Sequence, residues 1–317
     1  MNIILLAAGI GSRLRPITDI VPKCLVPING IPLLNYWLHY SNSIDLTPIV
    51  NTHYMAPMVN EHLHAIKDIY SAEIVYEPHL LNTAGTIKKN YDKIQGDQLM
   101  LVHADNLSFF DMQEFISAHN ARPSKSLMTL MTFRTDSPQS CGIVEVNDEQ
   151  VVVGFHEKVP NPPGNLANAA VYIMEPEVTE KISTMPGEIL DFSLQVIPDL
   201  MGRMSVWENK DYHRDIGNPE GFLKSQWEFP CVSEKINRAI ASMPTLGIET
   251  IDRLAISIRT ALMEINNLLT IEIVNQIDDD YVFKSDTIYI AKKGPVGTCS
   301  SNIKRLTGAT VFVLSLI

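Results

Sequence analysis

In the first 125 residues, hydrophobic positions follow two patterns in turn: short apolar runs typical of strands, and segments typical of helices. Short apolar runs, typical of buried strands, occupy residues 3–7, 49–53, 72–76 and 99–103. Helices are predicted at 32–44, which starts with a proline, at 55–69, where apolar residues recur at helical spacing, and at 86–94 and 111–120. Strands that alternate with helices predict an α/β, Rossmann-like fold with a mostly parallel sheet flanked by helices. Ligands of such sheets bind beyond the carboxyl ends of the strands.

The pattern changes after residue 126. Four strand-like segments follow closely, at 127–133, 142–146, 151–156 and 169–174, and turn residues separate them. Two helical segments at 176–184 and 189–200 precede a strand at 204–208. These features predict that the sheet becomes mixed here and that a lid lies over the pocket.

Pro230 marks a boundary between a domain of residues 1–229 and a C-terminal extension of residues 230–317. The extension is expected to be a small α+β unit, with helix over 236–269 broken at 244–247 and strands at 287–291 and 309–316. Three adjacent acids at 278–280 are expected in an exposed turn. We find no hexapeptide repeat, so no β-helix is expected. The apolar end at 311–314 is expected to be buried, either in the chain's own sheet or in a partner, which leaves a homo-oligomer open.

Composition limits the classes of partner. The 317 residues are 45% hydrophobic and 19% charged, which allows a sizeable core, and the net charge of −11 opposes a nucleic-acid surface. A nucleotide stays compatible, because a few local cations can neutralise its phosphates. Four widely spaced cysteines without a C-x-x-C pair argue against a zinc site or a disulfide framework, and no apolar run is long enough to span a membrane. The simplest interpretation is a soluble cytoplasmic protein with no membrane partner.

The first predicted strand runs into a loop of small residues that contains Ala8, Gly9, Gly11 and Ser12. Glycines allow backbone N–H groups to approach a ligand closely. Arg13 and Lys23 follow, and clustered backbone donors with two cations suit a polyphosphate. The spacing is neither that of a P-loop nor that of a dinucleotide loop, which requires a third glycine opening a helix. The pattern therefore points to a nucleoside triphosphate bound in another way.

The segment from Gly9 to Thr18 and the later Pro22-Lys23-Cys24-Leu25-Val26-Pro27 resemble the entry motif of the sugar-1-phosphate nucleotidyltransferases. The family pattern is Gly-x-Gly-[Ser/Thr]-Arg-Leu-x-Pro-x-Thr, a gap, then Pro-Lys-x-Leu-x-Pro. The resemblance is closest to the bacterial mannose-1-phosphate and heptose-1-phosphate guanylyltransferases and extends from Met1 to about Trp227. It implies the nucleotidyltransferase fold for that part of the chain. It also implies that Arg13 and the backbone of the loop hold the β- and γ-phosphates, while Lys23 stabilises the α-phosphate.

Two aspartates are candidate metal ligands. Asp105 follows an apolar strand end, a position that suits either Mg²⁺ ligation or a cap of the next segment. The resemblance matches Asp105 to the family's metal aspartate. It matches Asp215, in His213-Arg214-Asp215-Ile216-Gly217-Asn218-Pro219, to the second Mg²⁺ ligand, with a turn or cap role as the alternative.

The resemblance also assigns residues to the sugar and the base. Lys158 would hold the sugar phosphate, Glu157 and Asn168 would bind sugar hydroxyls, and the backbone of Gly142 would approach the ring. Thr83 and Gly85, in a loop with Asn82 in place of the family's first glycine, would contact the base or ribose. The sequence departs from the family at Val159, which is inserted before Pro160, and at Ala170, which replaces a glycine. Ordinary alternatives are an exposed ion pair at Glu157 and Lys158, a strand bulge at Gly142 and a helix cap at Thr83.

These parts predict condensation of an NTP with a sugar 1-phosphate to give a nucleotide sugar and pyrophosphate. Guanine is the expected base, and mannose or manno-heptose the expected sugar. One alternative is a uridylyl- or cytidylyltransferase acting on N-acetylmuramate 1-phosphate or a phosphocholine-like acceptor. A second is a non-catalytic regulatory relative that binds a nucleotide sugar.

Overall fold

The computed structural model describes residues 1–229, 248–265, 270–277, 287–293 and 311–316. Its strands are β1 (Asn2–Leu6), β2 (Pro27–Ile28), β3 (Ile31–Pro32), β4 (Ile49–Thr52), β5 (Glu73–Tyr76), β6 (Leu99–His103), β7 (Asn106–Phe109), β8 (Met128–Arg134), β9 (Gly142–Val146), β10 (Val152–Glu157), β11 (Leu166–Met174), β12 (Met204–Glu208), β13 (Tyr212–Asp215), β14 (Thr270–Gln276), β15 (Thr287–Lys293) and β16 (Val311–Ser315). Its α-helices are α1 (Leu33–Ser43), α2 (Ala56–Ala65), α3 (Asn82–Lys89), α4 (Tyr91–Ile94), α5 (Met112–Asn120), α6 (Pro176–Thr184), α7 (Pro219–Glu228) and α8 (Ile248–Ile265).

The main sheet is mixed. Strands β5, β4, β1 and β6 lie side by side in parallel, and β11 then adds to β6 in the antiparallel direction. Strand β8 pairs with β11, and β12 pairs with β8 in parallel. Strands β1, β4 and β6 are almost fully buried, as expected where helices cover both faces of a sheet, whereas β5 at the sheet edge is partly exposed. The predicted fold class is confirmed.

Strand β11 changes partners along its length. Its second half, from Val171 to Met174, pairs with β6, whereas Ala167 in its first half pairs with Ile143 of the β9–β10 hairpin. The register of its pairing with β8 shifts between Asn168 and Tyr172. The hairpin therefore adds to β11 where β11 leaves β6, next to the carboxyl end of β6. The predicted lid over the pocket stays a prediction.

A short antiparallel ribbon connects distant parts of the chain. In it, β13 pairs with β7 so that Asp215 lies opposite Asn106. Because Asn106 directly follows Asp105, this pairing brings two aspartates that are far apart in sequence to the same end of the sheet.

The C-terminal segments pack on the main domain. Leu254 and Ile258 of α8 share a hydrophobic cluster with Leu14, Ile17 and Phe222. Strands β14, β15 and β16 form a separate parallel sheet, in which β16 pairs with β15. The apolar end of the chain thus lies in the chain's own sheet, where Leu314 is buried. The domain division at residue 229 and the homo-oligomer stay predictions, and the predicted break at 244–247 and turn at 278–280 lie outside the described residues.

Two helix predictions were wrong at their ends. The helix expected over 55–69 ends at Ala65, where the chain turns and the Ile66 carbonyl accepts from both Ile69 and Tyr70. The helix expected over 86–94 begins earlier, at Asn82, because the Leu190 carbonyl accepts the N–H groups of its first turn. It is interrupted at Asn90, whose side-chain amide donates to the Thr86 carbonyl and so competes with the helical ladder.

The helix predicted over 189–200 was also wrong. The chain forms a single π turn at Phe192–Val196 and a short 3-10 turn at Pro198–Leu200. Leu190 cannot join a helix because its backbone pairs with Leu81 and α3. Pro198 removes a backbone donor, which stops a regular helix from forming. In the part of the chain that the structure describes, no helix combines the length and apolar character needed to cross a membrane.

Candidate active site

The loop after β1 is held in shape by its own neighbours. Gly11 has a φ of 66°, in the left-handed region. A Cβ at this position would lie 2.9 Å from Thr18 Cγ2 and 3.1 Å from Lys23 Cβ, and Thr18 Oγ1 donates to the Gly11 carbonyl at 2.9 Å. Only glycine satisfies both the backbone angle and the lack of space. Ser12 then begins a 3-10 turn, so the loop holds Ala8, Gly9 and Gly11 at the carboxyl end of β1.

Lys23 lies at the centre of the site. Its ammonium group is 3.0 Å from Asp105 Oδ2 and 3.0 Å from Asp215 Oδ1. Its side chain is only 6% exposed, whereas those of Asp105 and Asp215 are 32% and 43% exposed. One buried cation therefore holds together two carboxylates that lie at the same end of the β7–β13 ribbon.

The charges of this cluster stabilise one another. Burial opposes the charged form of Lys23, but Asp105 and Asp215 outweigh that effect and raise its pKa. Burial likewise disfavours the Asp105 carboxylate, yet the Lys23 ammonium beside it lowers the pKa of Asp105 below its ordinary value. The cluster is thus held with both groups ionised.

Arg13 approaches the same pair from the solvent side. Its guanidinium lies 3.6 Å from Asp215 Oδ2, and its side chain is 62% exposed. Gly217 makes this approach possible, since a Cβ there would lie 2.8 Å from Asp215 Oδ2 and 2.9 Å from the Arg13 guanidinium. Asn218 caps α7 by accepting from Gly221 N at 2.8 Å, so the capping role considered for Asp215 belongs to Asn218.

Two clefts lie on either side of the acid pair. The first has a volume of about 180 Å³, and its walls include Ala8, Gly9, Thr83 and Asp105. The second has a volume of about 230 Å³ and is lined by Arg13 and Asp215 together with Cys141 and Arg214. The site therefore has one chamber beside residues 8–12, named the phosphate loop after its predicted role, and another on the side of the β9–β10 hairpin.

The predicted base loop meets the first cleft only in part. Thr83 lines the cleft, and its hydroxyl accepts from Phe192 N at 2.7 Å rather than capping α3. Gly85 faces away from this cleft, because a Cβ there would lie 2.3 Å from the Glu188 carbonyl. Asn82, which replaces a family glycine, has a φ of 58°, a conformation that asparagine tolerates better than most residues.

The predicted sugar residues lie on the hairpin and on β11. Gly142 faces Glu157 across the β9–β10 pair, and a Cβ at Gly142 would lie 2.7 Å from both the Glu157 carboxylate and the Phe155 ring. Lys158, with a φ of 49°, pairs with Glu157 at 2.9 Å. Neither Glu157 nor Lys158 lines the two clefts described above. The structure thus groups these residues with one another rather than with Lys23.

Asn168 lies in the irregular part of β11. Its amide donates to the Tyr172 hydroxyl at 2.7 Å and accepts from Ala170 N at 3.0 Å. Ala170 has a φ of 56°, so the alanine that replaces the family's glycine keeps a backbone conformation that suits glycine. The Tyr172 ring contacts His103 on β6, which connects this region with the strand that leads to Asp105.

The sequence analysis missed three polar residues in the wall of the first cleft. Asn51, Glu77 and Thr86 line it, and their side chains are bonded to one another. A signal was present, because Asn51 and Glu77 lie at the carboxyl ends of the predicted strands 49–53 and 72–76, where α/β sheets bind ligands.

Comparison with known proteins assigns the chain to a family. A sequence model of the family described as nucleotidyl transferase matches residues 2–229. The chain belongs to this family. The match also agrees with the extent of the resemblance found in the sequence.

Two relatives are named as sugar-1-phosphate guanylyltransferases. The chain is 29% identical over 252 residues to the mannose-1-phosphate guanylyltransferase of Mycobacterium tuberculosis. The aligned region covers 78% of this chain and 67% of the relative. It is 28% identical over 235 residues to the D-glycero-alpha-D-manno-heptose 1-phosphate guanylyltransferase of Aneurinibacillus thermoaerophilus, covering 72% of this chain and 98% of the relative. The chain spans about two thirds of the length of the mannose-1-phosphate guanylyltransferases that it matches.

A crystal structure shares the fold. HddC from Yersinia pseudotuberculosis, complexed with GMP-PN, superposes with a TM-score of 0.59 at 24% identity, covering 71% of this chain and 97% of that one. At this identity the likeness concerns the fold.

Proposed function

We propose that this nucleotidyl transferase condenses GTP with a hexose or heptose 1-phosphate of the manno series to give a GDP-sugar and pyrophosphate. The observation that carries the proposal is the cluster of Lys23, Asp105 and Asp215 beside the phosphate loop. The guanylyltransferase names of the relatives support the choice of base and sugar.

The chemistry needs charge neutralisation more than proton transfer. An anionic phosphate oxygen of the sugar 1-phosphate attacks the α-phosphorus, a new P–O bond forms, and the bond to the pyrophosphate leaving group breaks. Because the nucleophile is already an anion, no general base is required. Arg13 and the backbone from Gly9 to Ser12 hold the β- and γ-phosphates, and Lys23 stabilises the charge on the α-phosphate.

A divalent metal fits the same place. Two carboxylates already share one cation, Lys23, so they lie close to each other. Among the described residues no third acidic, histidine or cysteine side chain joins them. Mg²⁺ characteristically takes one or two protein carboxylates and completes its shell with phosphate oxygens and water. Asp105 and Asp215 would hold Mg²⁺, which when bound supplies Lewis-acid neutralisation of the triphosphate.

The acceptor side of the proposal concerns the β9–β10 hairpin. Lys158 aligns the phosphate of the incoming sugar, and Glu157 and Asn168 bind its hydroxyls. Gly142 leaves room for the ring to approach the strand. Lys158 and Glu157 form an ion pair at 2.9 Å, so the sugar phosphate must compete with Glu157 for Lys158.

A matrix of GTP, UTP, CTP and dTTP against sugar 1-phosphates, scored for released pyrophosphate, tests the proposal. We expect turnover with GTP and mannose 1-phosphate or manno-heptose 1-phosphate. N-acetylmuramate 1-phosphate and phosphocholine belong in the matrix as alternative acceptors. Release with a different pair would replace the assigned substrates, and release with no pair would favour a regulatory relative.

The double variant Asp105→Asn/Asp215→Asn tests the metal assignment. It removes both proposed ligands and keeps the size of the side chains. We expect loss of magnesium-dependent turnover and loss of Mn²⁺ binding measured by electron paramagnetic resonance. Near-normal turnover would refute the metal assignment while leaving the substrate assignment intact.

A further inference from the structure

Asn51, Glu77 and Thr86 form a buried polar network that the proposed chemistry does not use. Their exposed fractions are 3%, 1% and 1%. Buried polar side chains must be hydrogen-bonded to one another or to the backbone, since an unpaired group is expensive. Their partners therefore show what the network holds.

Asn51 is the central member. Its Oδ1 accepts from Ala7 N at 2.8 Å, and its Nδ2 donates to Glu77 Oε1 at 3.0 Å and to Thr86 Oγ1 at 3.2 Å. Asn51 lies opposite Leu6 in the parallel register of β1 and β4, so its side chain reaches the point where β1 ends. One side chain thus bonds to three different segments.

Glu77 determines which way the Asn51 amide faces. The Glu77 carboxylate accepts from Asn51, from the Thr86 hydroxyl at 2.7 Å and from Leu81 N at 3.4 Å. Because the Glu77 oxygen that faces Asn51 acts as an acceptor, it selects the NH₂ end of the Asn51 amide. The oxygen end is then left to face Ala7 N–H.

The segments that Asn51 joins belong to two parts of the candidate site. Ala7 is the first residue after β1 and leads directly into the phosphate loop. Glu77 and Thr86 begin and end the segment that contains Asn82 and Thr83, which line the same cleft as Ala8 and Gly9. The network therefore sets the distance between the phosphate loop and the loop that faces the nucleoside.

We propose that Asn51 is a positioning residue for the nucleotide, and that Glu77 acts through Asn51 by fixing its orientation. Asn51 holds the start of the phosphate loop in register with the 77–86 segment, so that both parts of one nucleoside triphosphate meet their partners together. This inference rests on the proposed function, which places the triphosphate on that loop.

Steady-state kinetics with GTP and mannose 1-phosphate, or the pair that the substrate matrix identifies, test the inference. Asn51→Ala leaves Ala7 N–H without a partner, so we expect the KM for GTP to rise about tenfold, the effect of one buried hydrogen bond. The KM for the sugar phosphate should stay within about twofold, because no contact of Asn51 reaches the hairpin. An unchanged KM for GTP, or an equal rise for both substrates, would overturn the proposal.

Asn35→Ala is the matched control. Asn35 is 2% exposed, and its Oδ1 lies 2.7 Å from His62 Nε2, away from the site. It should lose thermal stability to a similar extent as Asn51→Ala and keep both KM values. A rise in the KM for GTP in this control would show that general destabilisation, not positioning, explains the Asn51 effect.

A double-mutant cycle tests the role of Glu77. A glutamine there has only one acceptor oxygen for three donors, so the Asn51 amide can turn over, and Glu77→Gln should also raise the KM for GTP about tenfold. If Glu77 acts through Asn51, the double variant Asn51→Ala/Glu77→Gln is no worse than Asn51→Ala. Effects that multiply would mean that Glu77 acts on the ligand independently, which would overturn that part of the proposal.

Two further variants keep the result interpretable. If Asn51→Ala fails to fold, Thr86→Val removes one hydroxyl of the network at constant shape and should raise the KM for GTP about fivefold; no rise would overturn the proposal.

Arg13→Ala reports on the proposed function itself. If Arg13→Ala loses activity while the network variants resemble wild type, the positioning role fails and the proposed function stands; if Arg13→Ala is also normal, the site assignment fails.

Discussion

The two halves of the candidate site are built differently. On the side proposed for the nucleotide, the phosphate loop is bonded to β4 through Ala7 N–H and Asn51, and Lys23 joins Asp105 to Asp215 at the end of the β7–β13 ribbon. On the acceptor side, Lys158 is 58% exposed and pairs only with its neighbour Glu157 among the ion pairs formed by the described residues. The first half is preorganised, whereas the second half keeps its charges in a local pair.

This difference agrees with what each half must do. A triphosphate brings several negative charges to one place, and rigid donors and cations stabilise them without reorganisation. In the proposed reaction a sugar phosphate must bind beside the nucleotide, and the hairpin would have to release its Lys158–Glu157 pair to hold it. We therefore expect substitutions on the nucleotide side to lower kcat and substitutions on the acceptor side to raise a single KM.

The largest effect is expected from Lys23→Ala. Loss of one preorganised charge lowers kcat by about 10²–10³. Stopped assays of pyrophosphate release with saturating substrates measure the change, and Lys67→Ala, at an exposed position, is the control. A kcat within a few fold of wild type would remove Lys23 from the chemistry and end the contrast between the two halves.

The same variant has a second expected property. Without Lys23, the carboxylates of Asp105 and Asp215 lose the cation that they share. Mg²⁺ should therefore raise the thermal midpoint of Lys23→Ala more than that of wild type, as measured by scanning calorimetry. Equal shifts would indicate that the metal binds elsewhere.

Lys158→Ala should act mainly on the acceptor. We expect the KM for the sugar 1-phosphate to rise by about 10², because a charge-assisted contact is lost, with little change in the KM for GTP. Lys125→Ala is a matched control, since Lys125 is also exposed and pairs with a glutamate, Glu149, at 3.5 Å. If the KM for GTP rose equally, the two halves would not be separable.

Acid should weaken the packing of α2 on α1, where His62 contacts Asn35. Burial lowers the pKa of His62, between α1 and α2, to about 4. Between the ordinary pKa of about 6.5 and pH 4, the unfolded chain binds a proton that the folded protein excludes, so stability falls as the pH decreases through that range. His62→Gln should flatten the dependence of the thermal midpoint on pH over this interval, and exposed His64→Gln should not. Parallel curves for all three proteins would contradict this account.

The smallest effect is expected at Ala170. An L-residue in the left-handed region is strained by about 1–2 kcal/mol, and glycine relieves this while losing about 0.4–1 kcal/mol through the unfolded chain. Ala170→Gly should therefore stabilise the protein by up to about 1.6 kcal/mol in urea unfolding. Asn82→Gly, also at positive φ, should change stability by only a few tenths of a kcal/mol, because asparagine tolerates this conformation. A destabilised Ala170→Gly would show that the bulge is held by other contacts.

Local patterns predicted much of this molecule. The strands at 99–103, 142–146 and 204–208 and the helix at 176–184 have the expected bounds, because their periodicity and flanking turn residues are unambiguous. The entry motif identified the family, since glycines, cations and prolines at fixed spacing have few other uses. Periodicity failed at 189–200, where the backbone of Leu190 pairs with α3 rather than with its own neighbours.

The sequence by itself determined the alternation of strands and helices, the phosphate loop and the identity of the charged residues. Only the tertiary structure decided that Lys23 joins Asp105 to Asp215, because their meeting depends on the pairing of β7 with β13. It also decided that Gly85 packs on the Glu188 carbonyl and that Asn51 reaches both the phosphate loop and Glu77. Spacing along a chain specifies local conformation, whereas contacts between distant segments depend on which strands become neighbours in the sheet.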